Sequence, residues 1–322
     1  MTVALAGCGG STHPAAPAPK HRSTPVAVRP APPAQPATLV YRGVAALPAP
    51  LRDPAAVALG AGRYALLGGL NAADESVAGI ELGSASSVSS APATLPLAQH
   101  DAQGALLGGT VYVFGGGSLS ELDHIVAFDP AGGGARVVGS LPSAQSDVAV
   151  SALGPTAYVV GGYDGTNWLN TILAYRPGAP VRVAGHLPVG LRYAATSAID
   201  GRIVIIGGST PTQASSAIYA FDPATGAVRV LGHLPQPITH GGAATLGGFV
   251  YLVGGRGDNL NSQTADVWSI DPRSGAVRRA GRLPEPLSDA AVVGAGNAII
   301  VAGGLTPSGS VPASVGELAP GR

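Results

Sequence analysis

The chain has 322 residues, with 18 Lys and Arg against 18 Asp and Glu, and only 11% of its residues are charged. That balance lacks the basic face a nucleic-acid binder needs, so no nucleic acid is expected as a partner. Apolar residues reach 46% alongside 48 Gly and 29 Pro, a mixture that suits many short strands joined by tight turns.

The first feature along the chain is Cys8, the sole cysteine. One thiol makes no internal disulfide and cannot build a tetrahedral metal cage. Leu5-Ala6-Gly7-Cys8 resembles the bacterial lipobox, whose cysteine is lipidated and becomes the new N-terminus. The resemblance implies that residues 1–8 are the end of a lipoprotein signal. It also implies a membrane partner through the lipid on Cys8, and an extracytoplasmic place at the cell surface or in the periplasm. The seven residues before Cys8 hold no Lys or Arg and are too few for a basic start and an apolar stretch. A longer start upstream is therefore expected. Residues 9–37 are Pro/Ala-rich with almost no large apolar side chains, so a disordered tether biased to polyproline II is expected there.

From residue 38 onward the chain repeats itself. Diglycines stand at Gly68-Gly69, Gly115-Gly116, Gly161-Gly162, Gly207-Gly208, Gly254-Gly255 and Gly303-Gly304. A Leu-Pro pair keeps step at Leu47, Leu95, Leu141, Leu187, Leu234 and Leu283, with copies 46–49 residues apart. Each copy reads as four strands. A short strand follows Leu-Pro ("DVAVSAL"), and a glycine turn leads to a second that ends in the diglycine ("IVIIGG"). A variable loop and a third strand come next. A turn such as "DPATGAV" then opens the fourth, Pro presetting φ and Gly supplying the positive φ that ends the turn.

This pattern resembles the kelch repeat, in which each copy is one blade of a β-propeller. The resemblance covers residues 38–322 and implies an all-β, six-bladed, kelch-type propeller with four strands per blade. The last copy has no fourth strand of its own, whereas residues 38–48 have the fourth-strand pattern with no blade before them. The N-terminal strand is therefore expected to close the last blade. The usual fourth-strand Trp of the kelch repeat is missing. Arg42, Arg136, Arg182, Arg229 and Arg278 recur in that strand instead, with Ser90 in the second copy. They read as charge protecting exposed outer strands, paired with Asp129, Asp222 and Asp271.

Strand direction puts the Leu-Pro loops and the loops after each diglycine at the same end. The latter are long and unlike one another, the kind of loop that carries binding on a rigid scaffold. Candidates on this face are Asp164, Asn167, Trp168, Arg192, Tyr193, His240, Arg256, Asp258 and Asn259. One column is distinct. Six residues after each Leu of Leu-Pro stand Asp53, Asp101, Asp147, Tyr193, His240 and Asp289, at the start of the innermost strands. This column is read either as a polar-ligand or cation site at the channel mouth, or as carboxylates that accept backbone N–H bonds in their own turns.

No pair of histidines has metal-ligand spacing, and no nucleophile elbow, phosphate loop or calcium loop appears. The copper centre of galactose oxidase, a kelch-like relative, needs a propeller cysteine, and Cys8 lies in the leader. No metal, cofactor or catalytic residue is assigned. The resemblance implies a monomeric, non-catalytic binding module with an unidentified protein or glycan partner on the diglycine-loop face. A carbohydrate-active propeller, either a lectin or an enzyme like the sialic-acid mutarotases, is the alternative, and a structural part of an envelope assembly is a third.

Overall fold

The computed structural model describes residues 1–10 and 35–321. Residues 1–10 belong to the first of two units and have no regular secondary structure, and Cys8 is exposed there. Most of the expected tether, residues 11–34, lies outside the described residues.

The second unit, Pro36–Arg322, is a ring of six four-stranded antiparallel blades. From the channel outward, the first blade is Ala55–Gly60, Arg63–Leu67, Ile80–Gly83 and Val88–Ser90. The second is Gln103–Leu107, Thr110–Phe114, His124–Phe128 and Ala135–Ser140. The third is Ala149–Leu153, Thr156–Val160, Thr171–Tyr175 and Arg182–His186. The fourth is Ala195–Ile199, Arg202–Ile206, Ala217–Asp222 and Ala227–His233. The fifth is Gly242–Leu246, Phe249–Val253, Asp266–Ile270 and Val277–Arg282. The sixth takes Ala291–Ala295, Ala298–Ala302 and Ser314–Pro320 from the chain's end and Leu39–Ala46 from its beginning. The N-terminal strand thus closes the last blade, and the innermost strands of the first and last blades are in contact.

Burial follows the sequence pattern. The second strands of the third, fifth and sixth blades are buried at every position, which is why they read as unbroken apolar runs. The core lies between blades. Val204, Ile206 and Ile218 of the fourth blade, for example, share one apolar cluster with Val250 and Leu252 of the fifth. The Leu of every Leu-Pro pair is at most 5% exposed. Its N–H also donates to a carbonyl just before the third strand, as Leu187 does to Asn170 at 2.7 Å, so the pair anchors each incoming blade.

The diglycine is a steric requirement of blade-to-blade contact. Gly207 has φ +62°, and a Cβ there would lie 2.1 Å from the carbonyl oxygen of Ile238 in the next blade's entry loop. The Gly208 N–H donates to that same oxygen at 2.9 Å. All six pairs repeat this arrangement, the first glycine's Cβ falling 2.0–2.4 Å from a carbonyl oxygen. Gly207→Ala is expected to cost more than about 3 kcal/mol, since left-handed backbone alone costs roughly 1–2 kcal/mol and the clash adds to it. Gly247→Ala isolates the first term, because Gly247 has φ +57° with nothing within 4 Å of its Cβ position. Urea denaturation of both variants checks this, and equal losses would remove the steric account.

The outer-strand arginines Arg42, Arg136, Arg182, Arg229 and Arg278 are exposed. Their expected pairing with Asp129, Asp222 and Asp271 is corrected by the structure. Each of those carboxylates instead accepts the N–H two residues on, Ala131 at 2.9 Å, Ala224 at 3.0 Å and Arg273 at 2.8 Å, closing the turn before the fourth strand.

Candidate functional site

The column read from the sequence forms a closed ring. Asp53, Asp101, Asp147, Tyr193, His240 and Asp289 all adopt left-handed backbone, with φ between 51° and 59°. In each, the N–H donates to the carbonyl of its counterpart in the preceding blade at 2.9–3.3 Å. Asp289 receives from Asp53, so the six bonds close on themselves. Asp tolerates this conformation because its short polar side chain adds little steric cost, whereas a tyrosine there is an outlier. The residue before each ring member bridges to the loop after the diglycine, as Arg192 pairs with Ser209 and Thr239 with Arg256. Both loop sets therefore share one face.

The ring surrounds a cavity of about 130 Å³ at the channel mouth. The four carboxylates lie against side chains rather than against the N–H groups of their own turns. Arg52 Nη1 lies 2.8 Å from Asp53 Oδ2, and its Nη2 reaches Asp74 at 2.8 Å. Arg192 pairs with Asp147, and Ser288 donates to Asp289. The Tyr193 hydroxyl donates to Asp101 Oδ2 at 3.3 Å and accepts from Arg192 Nη2 at 3.3 Å. Burial raises all four carboxyl groups above the usual carboxylate range. For Asp53 and Asp101 the neighbouring carboxylates push further the same way, and these two rise well above it. Burial likewise raises the Tyr193 hydroxyl, so it remains a neutral donor.

His240 stacks on Tyr193 with ring centroids 3.6 Å apart and planes at 24°. Its Nε2 lies 3.0 Å from Arg256 Nη2, and its Nδ1 lies 3.0 Å from Thr239 Oγ1. A guanidinium only donates, so Nε2 accepts and the proton sits on Nδ1, directed at Thr239. Burial, then the Arg256 charge, holds this imidazole neutral, well below its ordinary pKa.

Other candidates sit farther out on the same face. Arg192 lies over the rings of Tyr163 (4.2 Å) and Trp168 (5.3 Å), which meet edge-to-face. Asp164 accepts the N–H groups of Thr166 and Asn167, so its carboxylate shapes the loop. Asp258 accepts the Ala214 N–H of the neighbouring loop, and Asn259 is exposed on the rim. The structure adds Arg52, His100, Tyr163, Thr239 and Ser288, which were not singled out. A signal for most of them was present. The column one residue before the ring reads Arg52, His100, Ser146, Arg192, Thr239 and Ser288, polar in every repeat. Among the described residues no group of His, Cys, Asp and Glu is arranged to hold a metal ion.

Comparison with known proteins agrees with this geometry. The kelch motif matches residues 190–235. The solved structure of YjhT superposes with a TM-score of 0.72, covering 84% of this chain and 96% of that one at 15% identity, a likeness of fold alone. No curated protein matches in sequence. With six four-stranded blades in a closed ring and a kelch motif in its fourth blade, the chain is a six-bladed β-propeller of kelch type.

Proposed function

We propose that this propeller is a non-catalytic binding module that takes a hydroxyl-rich ligand, a glycan, at the channel mouth on the diglycine-loop face. The observation that supports this most directly is the closed ring. It holds four carboxyls, a tyrosine hydroxyl and an imidazole on one rigid circle, with Arg52, Arg192 and Arg256 around it. Sugar hydroxyls both donate and accept, and they match a circle that holds acceptors and donors in fixed positions. The left-handed backbone at Tyr193 is the sort of local cost that persists where surrounding structure demands it, often at binding sites. The test is a thermal-shift screen against neutral and charged mono- and oligosaccharides. At least one is expected to raise the melting temperature, and Arg192→Met is expected to abolish that gain. A library without a single stabilising member would overturn the glycan reading and leave a protein partner.

A second reading, ring opening of a sugar by acid–base groups, is favoured by one feature. The His240 imidazole lies 3.9 Å from the Asp289 carboxyl, so two groups capable of moving protons sit side by side. Faster anomer exchange of a bound sugar by NMR, lost in Asp289→Asn, separates enzyme from lectin.

We also propose that a lipid on Cys8 presents the domain from a membrane outside the cytoplasm, on the strength of the Leu5–Cys8 motif. Expressed with its upstream coding region, the protein is expected in the membrane fraction, and Cys8→Ser is expected to release it or leave it unprocessed. Unchanged fractionation of Cys8→Ser would end this claim.

A further inference from the structure

The three arginines around the ring are not equivalent. Arg52 is paired with Asp53 and Asp74, and Arg192 with Asp147. Arg256 has no carboxylate within ion-pair distance among the described residues. Its single side-chain hydrogen bond, from Nη2, goes to an imidazole that carries no charge. Its Nε is buried with no acceptor, a feature it shares with Arg52 and Arg192, so the missing ion pair is what sets it apart. The Asp289 carboxyl feels the Arg256 charge but does not contact it, and a half-buried guanidinium with no contacting carboxylate and an incomplete set of acceptors is costly unless something else supplies them.

The space beside Arg256 is suited to that. A cleft of about 340 Å³ opens between the fourth and fifth blades, lined by Arg192, Ser209, Thr239, His240 and Arg256. Its walls are rigid on both sides. Arg192 and Ser209 exchange two backbone hydrogen bonds at 2.7 and 3.0 Å, and Thr239 and Arg256 exchange two at 2.8 Å. Arg256 is bridged on its other side to Gln263 as well, so the backbone carrying its side chain is held from two directions. One carboxylate, that of Asp258, lines the rim of this cleft; it accepts the Ala214 N–H and forms no ion pair with Arg256.

We propose that this cleft is an oxyanion subsite, in which Arg256 binds the carboxylate or sulfate group of an anionic glycan whose hydroxyls reach the adjoining ring. Two guanidiniums, one of them without a contacting carboxylate, present donors to a planar or tetrahedral oxyanion, and Arg binds such groups in a two-pronged fashion. The inference rests on the reading of the channel mouth as a glycan site and gives its ligand a charge.

The test uses the full propeller with D-glucuronate, inorganic sulfate and D-glucose, titrated calorimetrically at matched ionic strength. Glucuronate is expected to bind at least about tenfold more tightly than glucose, and sulfate is expected to compete with it. Arg256→Gln is expected to erase the difference between glucuronate and glucose, while Arg256→Lys retains part of it. Circular dichroism establishes that each variant is folded, and Arg256→Lys carries the test if Arg256→Gln is not. Glucuronate binding no tighter than glucose, failure of both anions to bind, or an unchanged preference in a folded Arg256 variant would overturn the subsite. If neutral sugars in the broader screen still bind, the glycan reading stands and only the charge assignment falls. Tighter binding of glucuronate without competition by sulfate would assign the subsite to carboxylates alone.

Discussion

Deleting residues 38–46 is expected to abolish cooperative folding of the propeller, whereas deleting residues 9–34 is expected to leave its melting temperature unchanged. The first deletion removes the outer strand of the last blade. Leu39–Ala46 runs antiparallel to Ser314–Pro320, from Leu39 opposite Pro320 to Ala46 opposite Ser314, with one irregularity between Gly43 and Ala45. Leu39 is 3% exposed and packs into the cluster that joins the fifth and sixth blades through Tyr251, Val267, Ile299 and Leu318. Tyr41 fills the space over Gly316, where a Cβ would strike its ring. Losing this strand would leave Ser314–Pro320 as an unpaired edge and uncover apolar surface on two blades, a combination that favours aggregation. A milder version is Leu39→Ala, expected to cost about 2–5 kcal/mol, as truncation of a buried leucine does. Equal melting temperatures for the two deletions, measured by calorimetry, would show that the ring closes without this strand.

The second large effect concerns the ring of carboxyls. Asp53→Asn is expected to raise the melting temperature at pH 7. At pH 3 it is expected to change nothing. Burial, then the charges of Asp289 and Asp101, raise the Asp53 carboxyl well above its usual range, and Arg52 opposes them only in part. A group whose folded pKa exceeds its unfolded value, about 3.9, binds its proton more tightly when folded. Stability is therefore greatest below that pH and declines as pH rises toward the folded value. An amide escapes the decline because it never ionises. Asn also tolerates the left-handed backbone at this position (φ 54°), and Arg52 keeps Asp74 as a partner. Melting curves from pH 3 to 8 on both proteins check this. A lower melting temperature for Asp53→Asn at pH 7 would mean that the Arg52–Asp53 pair outweighs the crowding of carboxylates.

The same ring separates what each repeat records from what folding adds. The repeat, the blade number, the closing strand and the face that carries the variable loops were all legible. Each blade solves the same packing problem and leaves the same marks: a buried Leu before Pro, a diglycine where two backbones touch, and a polar residue where the backbone turns left-handed. Periodicity exposes such local requirements because they recur at fixed spacing. The ring's membership was legible for that reason, and so was the shared face of Arg192, His240 and Arg256.

What the ring does with its side chains was not legible. The partners of Asp147, Asp53 and His240 come from neighbouring positions and from other blades, and no periodic rule says which arginine meets which acid. Arg52 and Arg192 acquire carboxylates, while Arg256 meets an imidazole instead. Asp101 and Tyr193, 92 residues apart, share a hydrogen bond that exists only because the ring closes. Charge states at the mouth depend on these meetings and on burial, both properties of the assembled circle. The outer strands illustrate the same limit, since Asp129, Asp222 and Asp271 close their own turns rather than reach the arginines nearby. Local geometry is written into each repeat, but electrostatics is summed over all six, and only the closed propeller performs that sum.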